Sequence, residues 1–187
     1  FEVLDMPNAY DTHCPVVPMR EDSINFVGAK YPNREETLQA LVAAGLPVRA
    51  YGRAWSRHPY DILRTKQFKD SGVPAGRDVD RSEAYGIMAS SPATLNIHNN
   101  QDGFTMRTFE APGVGALQVI DRADVDRYYI PGEEVLVYES IDELIEICTR
   151  IFREPKWARQ IREAGQKRTL AEHTFDQRVK ILEQLWA

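Results

Sequence analysis

The residues best equipped for chemistry stand in one run, Asn96-Ile97-His98-Asn99-Asn100-Gln101-Asp102-Gly103-Phe104-Thr105-Met106-Arg107-Thr108-Phe109-Glu110. It reads as a strand, a polar loop and a helix. The five polar side chains from His98 to Asp102 are costly to bury together, so they belong at a site or in solvent. Gly103 permits close approach of backbone to a ligand. A helix is predicted over Phe104–Ala111, stopped by Pro112 and Gly113. The amides of Phe104, Thr105 and Met106 are then the free donors of its first turn, which is an anion site. Asp102 precedes the helix and Glu110 lies within it. Such a helix can hold a phosphate at its start while Glu110 meets the same ligand from the side. Ordinary readings compete: Asp-Gly is a frequent turn pair, Asp is a frequent cap, and Glu110 alone would be solvated.

A second candidate is Gly28-Ala29-Lys30-Tyr31-Pro32-Asn33-Arg34, where a glycine turn and two cations lead into a helix. Arg34 offers forked donors and Lys30 a point charge, which suits a diphosphate. The run lacks the glycine spacing of a dinucleotide fold or a P-loop. Tyr51-Gly52-Arg53 ends another strand, and Gly52 can line the same cleft. The His residues (His13, His58, His98, His173) are scattered without metal-ligand spacing, so no metal is expected. Only His98 stands at a strand end. Glu133-Glu134, after Pro131-Gly132, reads either as a turn before a strand or as carboxylates facing the cleft.

The elements that must position these residues alternate. Strands are predicted at Ser23–Gly28, Pro47–Tyr51, Thr94–His98, Ala116–Ile120 and Val135–Tyr138. Helices are predicted at Arg34–Ala44, Arg81–Ala89, Ile141–Phe152, Pro155 to about Gly165, and Thr174–Trp186, where Phe175, Val179, Leu182 and Trp186 keep helical spacing. Trp55–Val79 is the least regular stretch, a loop or one short helix near Tyr60–Phe68. Short apolar strands alternating with helices imply an α/β fold, a doubly wound parallel sheet covered on both faces. Ligands then sit at the carboxyl ends of strands, in the loops after Gly28, Tyr51, His98 and Ile120. The first 20 residues read as a linker or an extended lead-in, leaving 21–187 as one domain.

Composition fits this picture. The chain has 187 residues, 43% hydrophobic and 27% charged, which is one ordinary globular domain. Its 23 basic and 28 acidic residues leave a net charge of -5, which argues against nucleic acid as a partner. Cys14 and Cys148 cannot form a disulfide framework and read as free thiols in a reducing compartment. No apolar run is long enough to span a membrane, and no signal peptide is visible.

Four motifs in order carry a family resemblance. Met106-Arg107-Thr108-Phe109-Glu110-Ala111-Pro112-Gly113-Val114-Gly115-Ala116-Leu117 resembles the R-x-F-E-A-x-A-x-G signature of the glycosyl transferases group 1, and the nearest branch is the spore-maturation CgeB-like one. Phe26 to Glu35 resembles that branch's opening strand and loop. Tyr129-Ile130-Pro131-Gly132-Glu133-Glu134-Val135 resembles its P-G-E-E turn, and Glu172 to Arg178 its H-T-Y-x-x-R tail. The resemblance spans about Ile24 to Leu185.

It implies the Rossmann-like C-terminal half of a GT-B fold, binding a nucleotide-diphosphate sugar such as a UDP-sugar. The acceptor domain would precede Phe1, with Leu4–Asp11 ending the interdomain linker. That domain would bring a glycan, lipid or protein acceptor. The resemblance further implies a bacterial, cytoplasmic enzyme of cell-surface polysaccharide synthesis. The family's Glu-x7-Glu pattern maps onto Asp102, at the donor sugar and one methylene shorter, and Glu110, at the ribose hydroxyls. The amides of Phe104–Met106 would meet the diphosphate. Lys30 and Arg34 stand shifted from the family's phosphate cations, since Ala29 follows Gly28. Gly28, Gly52, His98, Asn99, Gly103 and Arg107 complete the expected donor site. Transfer would need no metal and would retain anomeric configuration. Two other readings stay open: a non-catalytic Rossmann-like interaction module, and another nucleotide-dependent α/β enzyme.

Overall fold

The computed structural model describes residues 6–98 and 103–186. The expected strands form β1 (Ile24–Val27), β2 (Val48–Tyr51), β4 (Thr94–Asn96), β5 (Gln118–Ile120) and β6 (Leu136–Val137). One strand has no sequence signature: β3 is only Ala75–Gly76. All pair in parallel, in the order β3-β2-β1-β4-β5-β6. Register runs from Ile24 opposite Val48 on one side of β1 to Asn25 opposite Thr94 on the other. This is a Rossmann-like α/β sheet. The winding reverses between β1 and β4, which puts a crevice at their carboxyl ends.

The helices are α1 (Pro32–Ala43), α2 (Pro59–Thr65), α3 (Arg81–Ser90), α4 (Arg107–Gly113), α5 (Ile141–Arg153), α6 (Pro155–Glu172) and α7 (Phe175–Trp186). Proline opens α1, α2 and α6, where its missing N–H costs nothing. A capping box opens α3: the Asp80 side chain accepts from the Glu83 amide, and the Glu83 side chain accepts from the Asp80 amide.

Two helices differ from expectation. The helix expected over Phe104–Ala111 begins at Arg107 and runs through Pro112 to Gly113. Pro112 cannot donate to the Thr108 carbonyl, but the Gln118 side-chain amide donates to it at 3.3 Å, so the helix survives its proline. Helix α6 runs past Gly165 to Glu172. Gly165 is a close-approach residue, because a Cβ there would collide with the Glu134 carbonyl.

Two apolar clusters hold the layers together. One joins β1, β2, β4 and β5 to α1, α5 and α6 through Ile24, Leu38, Leu41, Leu95, Leu144 and Ile161. Cys148 lies there, its thiol pushed up to about 12 by burial. The other gathers α3, α4 and the lead-in through Tyr10, Tyr85, Met88, Phe109 and Tyr129. The lead-in is tied to this body. The Tyr10 amide donates to the His173 carbonyl at 2.8 Å, and the Phe175 amide donates to the Tyr10 carbonyl at 3.0 Å. Arg178 donates to the Pro7 carbonyl at 3.2 Å. His173, whose pKa burial lowers, contacts Tyr129 at 5.2 Å between ring centroids. The family-like tail is thus a clasp at the α6–α7 junction.

Candidate functional site

A cavity of about 480 Å³ opens at the carboxyl ends of β1 and β4. A smaller hollow of about 380 Å³ adjoins it, sharing Val27, Gly28, Ala29, Val79 and Arg107 and adding Gly52, Arg53 and Thr65. Gly52 brings the β2 loop close to the β1 loop: a Cβ there would stand 2.6 Å from the Gly28 carbonyl, and its φ is +148°. Together these spaces fall in the range that takes a small organic ligand.

Glu110 is the acidic centre of the main cavity. Its side chain is 6% exposed, and three groups converge on it. The Tyr85 hydroxyl donates to Oε1 at 3.2 Å, Arg81 Nε stands 3.6 Å from the same oxygen, and Arg107 Nη1 lies 3.1 Å from Oε2. Burial, then Glu110, pushes the Tyr85 phenol well above its usual range. Burial pulls the Arg107 guanidinium down, while Glu110 opposes that shift. A carboxylate offers about four acceptor directions. Tyr85 and the two arginines do not exhaust them, so Glu110 can still accept from a hydroxyl in the cavity.

The helix that carries Glu110 is held from below. Asn96 donates to Thr108 Oγ1 at 3.0 Å and to Gln118 Oε1 at 3.1 Å. His98 is fully buried. Its backbone amide and Nδ1 both meet the Asp121 carboxylate, and its Nε2 lies 3.4 Å from Thr108 Oγ1. His98 thus brackets β5 to α4 and does not line the cavity, unlike a ligand contact. Asp121, which sequence reasoning missed, is its partner. The loop after Ile120 signalled that region without naming the residue.

The other expected residues separate into two groups. Gly28, Arg34, Thr105, Met106, Arg107 and Glu110 meet at the main cavity. Arg34 is occupied, however: Nε and Nη2 donate to the Ile97 carbonyl at 2.9 and 2.6 Å, and Nη1 donates to the Ala29 carbonyl at 3.1 Å. Lys30 turns away, 3.0 Å from Glu35 and over the Trp55 ring. Gly103 has φ +75° and accepts from Arg122 at 3.1 Å. Phe104 packs edge-on against His98 and Tyr128. Because α4 starts at Arg107, the amides of Phe104–Met106 precede the helix instead of opening it. Asn99 and Asp102 lie outside the described residues. Thr105 Oγ1 is buried and has no hydrogen-bond partner among the described residues. Glu133 and Glu134 form the turn, with Glu134 accepting from the Ile130 amide at 2.8 Å. Asp80 and Arg81, also missed, were findable: in a parallel sheet every crossover helix begins at the ligand-binding edge.

Among the described residues, no three His, Cys, Asp or Glu side chains are grouped to hold a metal, and no helix is long and apolar enough to cross a membrane.

Sheet order and strand-end cleft define a Rossmann-like α/β domain of the kind that forms the C-terminal half of GT-B proteins. The family model described as glycosyl transferase-like matches residues 34–184, and the chain belongs to that glycosyltransferase family. No curated protein is significantly similar to it. Among solved structures, sucrose-phosphate synthase from Thermosynechococcus elongatus aligns with a TM-score of 0.67 at 16% identity, over 96% of this chain and 52% of the synthase. Anabaena HepE in complex with UDP-glucose aligns at 0.65 and 14% identity, over 88% and 48%. The C-terminal domain of the glycosyl transferase group 1 protein LpcC from Francisella tularensis aligns at 0.60 and 13% identity, over 88% and 95%. The chain therefore spans about half of the first two and nearly all of the third.

Proposed function

We propose that this domain binds the nucleotide-diphosphate sugar of a glycosyl transfer. The observation that carries the reading is Glu110, a buried carboxylate at the strand-end cleft with two guanidinium groups beside it. A nucleotide sugar needs this pair of chemistries: an acceptor for ribose hydroxyls and donors for a diphosphate. Glu110 serves the ribose. Arg107 and Arg81, with the backbone near Thr105 and Met106, serve the diphosphate. Asp102 remains the expected contact of the donor sugar.

In the transfer, the bond between the anomeric carbon and the diphosphate oxygen breaks, and a bond to an acceptor oxygen forms. Positive charge develops at the anomeric carbon and negative charge on the departing diphosphate. Fixed cations and amides stabilise the second charge, so the reading needs no metal; the Glu-x7-Glu resemblance adds retention of the anomeric configuration to it. An acceptor held largely by a further domain, the CgeB-like branch, and a cytoplasmic bacterial setting belong to the same proposal.

The test is calorimetric titration with UDP, GDP, dTDP, ADP and NAD, beside Glu110→Ala. One nucleoside diphosphate is expected to bind in preference to NAD. Glu110→Ala is expected to weaken it by about 1.5–3 kcal/mol, roughly 10- to 150-fold. A change below about threefold with the fold intact would remove the ribose role. Binding of NAD alone would favour another nucleotide-dependent enzyme, and no binding would favour an interaction module.

A further inference from the structure

Helix α2 presents the reverse of the usual surface pattern. A surface helix ordinarily buries apolar side chains and exposes charge. Here the helix's one carboxylate, Asp61, is buried: Ser56 Oγ donates to it at 2.7 Å and Arg77 Nε at 2.9 Å. Those hydrogen bonds hold the Asp61 pKa below its ordinary value, led by the one from Arg77. With the acid facing in, Tyr60 is 58% exposed, Leu63 73% and Phe68, three residues past the helix, 71%. Lys66, with φ +57°, turns the chain between them.

Cations surround these apolar groups. Arg64, Lys66 and Lys69 are exposed and have no ion pair among the described residues. Asp61, already matched by Arg77, is the only carboxylate between His58 and Lys69. The chain as a whole carries a net charge of -5, so this segment has the opposite sign to the whole.

We infer that α2 and the residues through Phe68 dock on an anionic lipid surface. The two halves of the patch suit the two layers of a membrane interface. Leu63 and Phe68 enter the headgroup–acyl boundary, while Arg64, Lys66 and Lys69 meet lipid phosphates, their stems lying along apolar surface. A soluble acidic polymer would use the cations and leave the apolar side chains in water. Asp61, clamped by Ser56 and Arg77, fixes which face of α2 points outward. Thr65, the last residue of α2, lines the smaller hollow of the cleft, so docking would bring the cleft to the lipid surface. The inference does not rest on the donor reading.

The experiment is co-sedimentation of the chain with vesicles of phosphatidylcholine, with and without phosphatidylglycerol. Two exposed double variants are compared, L63S/F68S and R64Q/K69Q, each checked for an unchanged unfolding midpoint. The chain is expected to pellet with anionic vesicles and much less with neutral ones. Binding should weaken between about 0.1 and 1 M salt, where the Debye length falls from about 10 to 3 Å. L63S/F68S should bind about tenfold more weakly or worse. R64Q/K69Q should lose roughly fivefold per charge. Failure to pellet with anionic vesicles would overturn the inference, as would equal binding by L63S/F68S. Capture by polyglutamate that L63S/F68S leaves unchanged would assign the patch to an acidic macromolecule and overturn it too.

Discussion

The two flanks of the cleft handle their cations differently. After β1, Lys30 is matched by Glu35, and all three guanidinium nitrogens of Arg34 donate to the carbonyls of Ile97 and Ala29. Across the cavity, Arg81 and Arg107 converge on one carboxylate that itself faces the open space. Lys30 and Arg34 look like phosphate ligands in sequence because a glycine turn precedes them. What separates a strut from a ligand is whether the protein already supplies the partner. A guanidinium with each nitrogen already on a carbonyl is fixed as a joint between two loops, whereas one that shares a carboxylate at a cavity wall is freer to turn donors to a guest.

The strongest way to break that contrast is Arg34→Ala. It leaves the carbonyls of Ile97 and Ala29 without their donor and removes a cation stacked on Phe26 and Tyr31. Urea unfolding is expected to show a loss of about 2–4 kcal/mol, the cost of unsatisfied buried groups and lost charged hydrogen bonds. Arg34→Lys, which keeps charge but not the fork, should recover part of it. Intact stability with nucleotide binding abolished would make Arg34 a ligand and erase the distinction.

Arg107→Ala sharpens the contrast from the other flank. Affinity for the preferred nucleoside diphosphate is expected to fall by about 1.5–3 kcal/mol, roughly 10- to 150-fold. Affinity for the parent nucleoside should change less than about threefold. Titrating both ligands separates two roles. If both affinities fall equally, Arg107 acts by orienting Glu110 instead of meeting the diphosphate.

Sequence carries most of the elements and less of the site. Strands β1, β2, β4 and β5 are legible because each is a short apolar run ended by a turn signal. Helix α5 is legible through its apolar stripe. Strand β3 is not, since Ala75-Gly76 has no pattern of its own and pairs only because β2 lies beside it. The passage of α4 through Pro112 escapes local rules because Gln118, a residue of β5, satisfies the carbonyl that Pro112 leaves open. Glu110 is legible from its place in a strand–loop–helix run. Arg81 is legible only through the topology, which starts each crossover helix at the ligand-binding edge; read locally, a cation in a helix's first turn looks solvated. For His98, the strand-end rule locates the residue but not its direction, which Asp121 and Thr108 decide.

Lys30→Ala should have the smallest effect. Its ammonium sits 3.0 Å from Glu35, in a side chain only 9% exposed, and 5.5 Å from the Trp55 ring centre. The desolvation of both charges offsets most of the attraction within this largely buried pair, and Glu35, 27% exposed, regains water once Lys30 is removed, so the net worth of the pair and its cation–π contact is small. Truncation also releases the ordering of a long side chain, which offsets part of that. A stability loss under about 1 kcal/mol is expected in urea unfolding, with nucleotide affinity changed by less than about threefold, because the charge already has a partner and points away from the cavity. A tenfold loss of affinity at unchanged stability would mean that Lys30 leaves Glu35 to reach the diphosphate. The β1 flank would then hold a ligand that becomes available only on binding, and internal pairing would no longer mark a residue as structural.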